Sequence, residues 1–550
     1  MPGARRSIRW GDGVRGRGFV ASSMLLAAWL VAGCAGDRQP PPEEPVDSPV
    51  PSEPVAIVID GRFDDWDGAP AQTLVGSPDV AVVSIELDAH AVYLQLTLRA
   101  VTNVQGRTSP LLLAFDSDTD PATGQDAFGV AGVDLVVSLS YLAHDGEVRQ
   151  GVAAWRPSAD APGRTSAPRD PMVPHDVGLW FEPRHSASTI ELRLARGSGS
   201  MGDFADGGFV ARVVSVSEAG EELARSSPFG RGADVVTPAA GPAEMAGRVS
   251  WPRVEAGRLE RDAGTALRVI VWNVAGRLAD EPDPARRVLA ALDPDLVLLD
   301  EVTSGQDAEA VEAILPAGDP TRANWDIHVG TSGGRQRGII AARGSVTPAA
   351  SFDFVPYADE DGGAMPGRLP GPVVVRAGVP ATGAHVEIGG RTVFAVVLDL
   401  VCCGNSADSP QDRVRSLESA AINRSVREAL GDPGAVPVLV GGDFNLVGSS
   451  APLRRMGEGL AGADGDLVEV YALQLDGASS ATWAGPTTPF PPGQLDYLLH
   501  PAGSMRPVRA FVFETSDLVP AALASLGLRA EDSDDASDHR PLVVDFAWLP

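Results

Sequence analysis

Between about residues 55 and 245, apolar and polar positions alternate in short runs. "VAVVSIELDAHAVYLQLTLR", "SPLLLAFDSDTD", "VDLVVSLSYL", "ASTIELRLAR" and "GGFVARVVSVSEAG" follow one another, with turn residues between them. A period of two gives a strand one apolar face. No long helical period interrupts the series, so an antiparallel all-β sandwich is predicted over 55–245. From residue 265 the pattern changes. "LRVIVWNVAG" and "LVLLDEV" are continuous apolar strands, and "DPARRVLAALDPD" between them reads as a short helix. Further strands are "RGIIAAR", "RTVFAVVLDL", "VPVLVGGDFN", "QLDYLLH", "VRAFVFE" and "RPLVVDF". A longer helix is predicted from Gln411 to Leu430, where Val414, Leu417, Ala421, Val426 and Leu430 recur at helical spacing. Apolar strands mixed with amphipathic helices predict an α/β layered domain at 265–550, joined to the sandwich by a linker at 246–264.

The N-terminus follows neither pattern. Arginines at 5, 6, 9, 15 and 17 precede "FVASSMLLAAWLVAG", a 15-residue apolar run that ends at Cys34. A membrane span needs about 20 residues, so residues 1–34 read as a signal peptide. "LVAGC" resembles the bacterial lipobox, in which cleavage leaves a diacylated cysteine, here Cys34. Residues 35–54 are Pro-rich and acidic, as in an extended tether. This reading anchors the chain by lipid at the bacterial cell envelope.

Charge narrows the chemistry. The 44 basic residues are all arginine, against 73 acidic ones, for a net charge of −29. Residues 265–550 alone carry 38 acidic residues and 21 arginines. Nonspecific grip on nucleic acid rests on neutralising phosphates with cations, so this balance argues against a large basic groove. It does not exclude phosphate chemistry at a metal-neutralised site. Three cysteines cannot build a disulfide framework. Once Cys34 is lipidated, the adjacent Cys402 and Cys403 are the remaining thiols, either reduced or bridged as a strained vicinal pair.

Polar residues at strand ends carry the candidate chemistry. Asn273 ends one apolar strand and Glu301 the next. Asp443 and Asn445 end "VLVGGDFN", Asp496 interrupts "QLDYLLH", and Asp538 with His539 precedes the last strand. A buried carboxylate is costly unless it is paired or bound to metal, and convergence of these ends would make one acidic cluster. Asp532, Asp534 and Asp535 just before them read as solvated loop. In the sandwich, Asp116, Asp118 and Asp120 alternate and so would face one side of an extended segment, a candidate nest for Ca²⁺. It is not an EF-hand, since Pro121 and Ala127 stand at the sixth and twelfth positions.

"WNVAG", "LLDEV", "GGDFN", "LDYLL" and "SDHRPLV", in this order over about 265–548, resemble the endonuclease/exonuclease/phosphatase superfamily. The resemblance implies an α/β four-layer sandwich, two central sheets flanked by helices. It also implies Mg²⁺ (or Mn²⁺) on Glu301, helped by Asn273 and Asp538. Asp443 would orient or deprotonate the attacking water, and Asn445 would hydrogen-bond a phosphoryl oxygen. His539, held by Asp496, would donate to the phosphoryl group. Two positions depart from the family: Asp300 precedes the glutamate where many relatives carry glutamine, and Asp399 stands where hydrolytic relatives carry a histidine. Asp399 is open to a second metal, to leaving-group protonation or to altered chemistry. Arg413 and Arg415 are candidate phosphate contacts, with solvated helix arginines as the plain alternative. Arg335 and Arg337, just before the strand in "GRQRGIIAAR", are candidates to face the substrate.

"IDGRFDDWDGAP" and "FDSDTDPATG" are similar to segments of family-nine-like carbohydrate-binding sandwich domains. That likeness makes a glycan a candidate partner and Trp155 and Trp180 its candidate platforms, buried core being the alternative. Two functions follow. One is a metal-dependent phosphoester hydrolase (phosphodiesterase, nuclease or phosphatase) acting on nucleic acid, a phospholipid head group or a small phosphoester. The acidic balance favours the smaller substrates. The other is a non-catalytic surface-binding lipoprotein that keeps the hydrolase fold. No protein partner is expected.

Overall fold

Alternation in the first region produces two facing antiparallel sheets. One runs 71–73, 80–87, 91–102, 187–195, 180–182 in spatial order; the other runs 222–225, 209–216, 111–116, 135–142, 148–155. Val83, Ile85, Leu94, Leu96 and Leu192 of the first meet Leu111, Leu113, Phe115, Val137 and Val213 of the second in one core. The computed structural model describes residues 57–549, apart from 89–90, 197–207, 232–252, 304–307, 317–323, 335, 358–376, 433 and 463–464. Cys34, the signal segment, the tether and Arg335 lie outside the described residues.

The second region is the expected four-layer sandwich. A seven-stranded sheet runs 325–329, 336–343, 296–303, 267–273, 542–548, 505–512, 473–474, and a six-stranded sheet runs 345–348, 381–388, 391–399, 438–443, 496–500, 468–469. Val269, Val271, Leu298, Ile340 and Val544 of the first pack on Val386, Ala395, Val397, Leu439 and Leu498 of the second. On the outer faces, Ile270 and Leu299 lie under the helix Pro282–Leu292, and Phe394 and Val440 under the helix Pro410–Leu430. Fully burying a side chain of this size contributes about 1.5–3 kcal/mol, so both layers are strongly held. The longer helix starts where Ser409 caps it, its Oγ accepting from the Asp412 N–H at 3.0 Å, with Pro410 at the first helical position.

Strand direction positions the site. Strands 267–273 and 296–303 pair in parallel, as do 391–399 and 438–443, so each pair ends at one edge. Register sets Asn273 opposite Asp300, Asp399 opposite Asp443, and Asp443 opposite Asp496. Gly442 is required for this closeness: it has φ +139°, and a Cβ there would meet the Leu398 carbonyl oxygen at 1.9 Å.

Two expectations change. Residues 253–264, the second part of the expected linker, dock on the layers of the second region: the Val254 N–H donates to Asp517 O at 2.7 Å and Leu259 is buried in the core. Residues Asp532–Ala536 form a helical turn, and Asp532 is fully buried against Arg287 at 2.5 Å. Its charge is kept inside because a guanidinium meets it, a pairing that local sequence does not reveal. The sandwich also bonds to loops of the second region. Asn103 Nδ2 donates to Val447 O at 2.7 Å, the Ser186 N–H to Gly448 O at 2.9 Å, and the Gln494 N–H to Glu182 Oε1 at 2.6 Å.

Candidate active site

Strand parity decides which carboxylates enter the cleft between the two sheets. Asn273 follows Val269 and Val271 in phase, Asp399 follows Ala395 and Val397, and Asp496 is in phase with Leu498, so all face inward. Glu301 is out of phase with its strand. A register shift between Leu299 and Val302, with φ +51° at Glu301, turns it back toward the cleft. Ala275, Cys403 and Asn445 also adopt positive φ, at 48°, 71° and 49°. Such strained backbone concentrates at functional sites.

Glu301, Asp399 and Asp443 offer carboxylate oxygens that all lie within 4.8 Å of one another. Asn273 Nδ2 donates to Asp443 Oδ2 at 3.3 Å, while the Asn445 N–H donates to Asp443 Oδ1 at 2.8 Å. One Asn445 amide hydrogen goes to Leu400 O at 2.8 Å, which fixes that side chain at the rim. His539 Nδ1 is 2.8 Å from Asp496 Oδ2, and its Nε2 faces Asp443 Oδ2 at 3.9 Å. Asp496 is held in turn by the Thr482 hydroxyl, which donates at 2.7 Å. Ser537 Oγ donates to Asn273 O and accepts from the His539 N–H, tying the last segment to the first strand.

Burial and mutual repulsion dominate the electrostatics. Burial pushes Asp443 up to about 8, against His539, with Asp496 and Glu301 adding to the rise. Asp300 and Asp399 are both held well above the carboxylate range, by burial first and by their acidic neighbours second. For His539, burial opposes the charged form, but Asp496 and then Asp443 outweigh it and raise the imidazole to about 10. Both oxygens of Asp300 and Asp496 Oδ1 are buried without a hydrogen-bond donor. Converging oxygen ligands, with further carboxylate oxygens left unsatisfied, suit a hard divalent cation. Glu301, Asp399 and Asp443 would hold it.

Sequence and structure differ at several positions. Asn273, Glu301, Asp399, Asp443, Asn445, Asp496 and His539 are brought together. Asp538 lies outside the three-carboxylate group; its Oδ2 accepts from the Trp483 indole at 3.1 Å, and Asp399 occupies the third position instead. Arg415 is not a phosphate contact. It is fully buried and donates to Val401 O, Cys403 O and Gly404 O while pairing with Asp412 at 3.1 Å. Arg413 lines a separate cleft of about 800 Å³ with Arg454 and Arg455. In the sandwich, Asp134 takes the place expected for Asp120 beside Asp116 and Asp118. The strand ends at Asp116 and Thr119 has φ +57°, so alternation stops and Asp120 caps its own turn through Ala122 N. Trp155 is core, whereas Trp180 is half-buried beside a seam pocket of about 420 Å³. No sequence signal marks Thr482 and Trp483, which sit in an irregular loop with no periodic pattern.

Residues 270–539 match the Endonuclease/Exonuclease/phosphatase family. That span contains every residue of the cluster and the dyad. Among solved structures, the chain is similar to the human Nocturnin catalytic domain with bound sulfate, at 16% identity over 53% of this chain and 98% of that one (TM-score 0.34). It is similar to a family protein from Bacteroides thetaiotaomicron, at 15% identity over 51% of this chain and 97% of that one (TM-score 0.33). It is also similar to a beta toxin mutant from Staphylococcus aureus with bound magnesium ions, at 15% identity over 51% and 99% (TM-score 0.31). Among curated proteins, none matches the chain.

Proposed function

We propose that the protein is a Mg²⁺- or Mn²⁺-dependent phosphoester hydrolase, lipid-anchored through Cys34 at the bacterial cell envelope. The observation that carries the reading is the Glu301–Asp399–Asp443 group facing the His539–Asp496 dyad across 3.9 Å. When bound, the cation supplies charge neutralisation and Lewis acidity at the phosphoryl group. The chain's own residues do the rest. Asp443, set by Asn273 and the Asn445 N–H, orients the attacking water. Asp496 keeps the His539 Nδ1 proton in place, which leaves Nε2–H of the imidazolium to donate to a phosphoryl oxygen as charge builds. The second amide hydrogen of Asn445 is left for another phosphoryl oxygen. Phosphoryl transfer needs this positioning more than covalent catalysis.

The acidity of residues 265–550 favours small phosphoesters or head groups over polyanions. In the sandwich, Asp116, Asp118 and Asp134 suit a structural Ca²⁺, since the buried Asp116 Oδ1 has no donor of its own. A panel of nucleic acid, sphingomyelin, inositol phosphates and a chromogenic diester, each with Mg²⁺, Mn²⁺ and Ca²⁺, tests the reading. Turnover of one class, lost in Asn445→Ala, supports it. No turnover by a folded chain that binds glycan or surfaces favours the non-catalytic alternative.

A further inference from the structure

Cys402 and Cys403 take no part in the hydrolytic chemistry, yet they stand at its rim. Both are exposed, their sulfurs are 2.8 Å apart, and they begin three residues after Asp399. The turn that carries them is held tightly. Arg415, buried inside it, donates to the carbonyls of Val401 at 3.0 Å, Cys403 at 2.7 Å and Gly404 at 3.4 Å. The same guanidinium pairs with Asp412, which accepts from the Ser449 N–H and hydroxyl at 2.9 and 2.7 Å. Ser449 is four residues beyond Asn445, and Asn445 Nδ2 bonds Leu400 O at the start of the turn. A change of shape at 401–404 therefore reaches Asn445 along two routes.

We infer that Cys402 and Cys403 form a reversible oxidation site, and that closing it to a vicinal disulfide slows turnover at the neighbouring centre; the second half rests on the hydrolase reading. The hydrogen bond between the two sulfurs, with Arg415 nearby, lowers the Cys403 thiol to about 6, which favours its nucleophilic thiolate form. With a small-molecule disulfide such as oxidised glutathione as the oxidant, Cys403 attacks one sulfur and expels one glutathione thiolate. Cys402 then attacks Cys403 Sγ and expels the second. Two protein thiols become one disulfide, one glutathione disulfide becomes two thiols, and the two protons pass to the departing thiolates. Adjacent Cα atoms are about 3.8 Å apart across a trans peptide, closer than the roughly 4.4–6.8 Å usual for disulfides. The closed ring is consequently strained and easily reduced, a property of labile, regulatory bridges. Closing it must also distort the turn that Arg415 now fits.

Cleavage after Arg391 and Arg413 puts both cysteines on one peptide, apart from Cys34. The full chain is equilibrated with oxidised glutathione, alkylated, digested and weighed, and the same sample is assayed on a chromogenic diester with Mn²⁺. The expected peptide is unalkylated, two hydrogens lighter, and restored by dithiothreitol. Turnover falls about tenfold or more, in keeping with the cost of small misplacements in an active site. The double variant Cys402→Ser/Cys403→Ser keeps full turnover under the same oxidant. Two alkylations after oxidation, a stable glutathione adduct in the wild-type chain, or equal turnover of both forms each overturn the inference. If the reduced chain hydrolyses nothing, the hydrolase reading and the predicted slowing fall together, while the peptide mass still decides the oxidation site.

Discussion

Replacing Asp496 with asparagine removes one charge from the His539 dyad and little else. The substituted amide would keep an oxygen that accepts from His539 Nδ1 and from the Thr482 hydroxyl, as Asp496 Oδ2 does now at 2.8 and 2.7 Å. At that separation and an effective dielectric of about 20, the ion pair amounts to about 6 kcal/mol. The rise of His539 from 6.5 to about 10 corresponds to about 5 kcal/mol after the opposing effect of burial. Without the Asp496 charge, burial is opposed only by Asp443 and Asp538, and His539 should titrate about three units or more lower, near or below neutrality. Metal-free wild-type chain and Asp496→Asn are titrated by NMR on the imidazole Cε1–H signals, with His539→Gln identifying the resonance. In the wild type, the pair's stabilisation is full below about pH 6.5 and is lost as pH climbs through about 10; in the variant that loss moves to lower pH. Loss of the imidazolium should cost turnover at pH 7.5 about 10²–10⁴-fold, the usual weight of a positioned acid. An unchanged His539 titration in Asp496→Asn would refute the reasoning.

Two further outcomes follow from the same structure. Asp399→Asn should weaken Mn²⁺ binding by about 10–100-fold or more, judged against the cost of losing even supporting groups of a metal site; calorimetry on folded variant and wild type measures it, and equal affinities would remove Asp399 from the ligand set. Burial pushes Glu182 up to about 8 from 4.5, despite Arg184 beside it. Its folded value exceeds its unfolded one, so stability contributed by the neutral acid is lost as pH rises from about 4.5 through 8. Thermal melts across that window should show a shallower decline in Glu182→Gln than in the wild type, and parallel slopes would contradict the assignment.

Much of the site was legible because apolar strands make an intruding polar residue conspicuous. Asn273, Glu301, Asp443, Asp496 and His539 each break such a run. Their meeting was not legible at the same level, because it depends on pairing between strands far apart in the chain. Asp399 lies opposite Asp443, and Asp443 opposite Asp496, only through sheet register. That is why the residue marked as a departure joins Glu301 and Asp443, while Asp538 turns to Trp483. Local alternation failed at Asp120 because a positive φ at Thr119 ended the extended segment. Charge patterning failed at Asp532, whose partner Arg287 is 245 residues away. The α/β layering was readable from segment periods and the four-layer sandwich from the family resemblance, but the bonding of the sandwich to the loops around the site was not.

Whether the carboxylate group and the His539 dyad form one hydrolytic centre is decided by Mn²⁺-dependent turnover of a chromogenic phosphodiester by the wild-type chain beside His539→Ala and Glu301→Gln. Turnover should be abolished by chelation, fall by at least about 10² in His539→Ala with metal binding intact, and be lost together with metal binding in Glu301→Gln. Equal turnover in the wild type and His539→Ala would contradict a single centre.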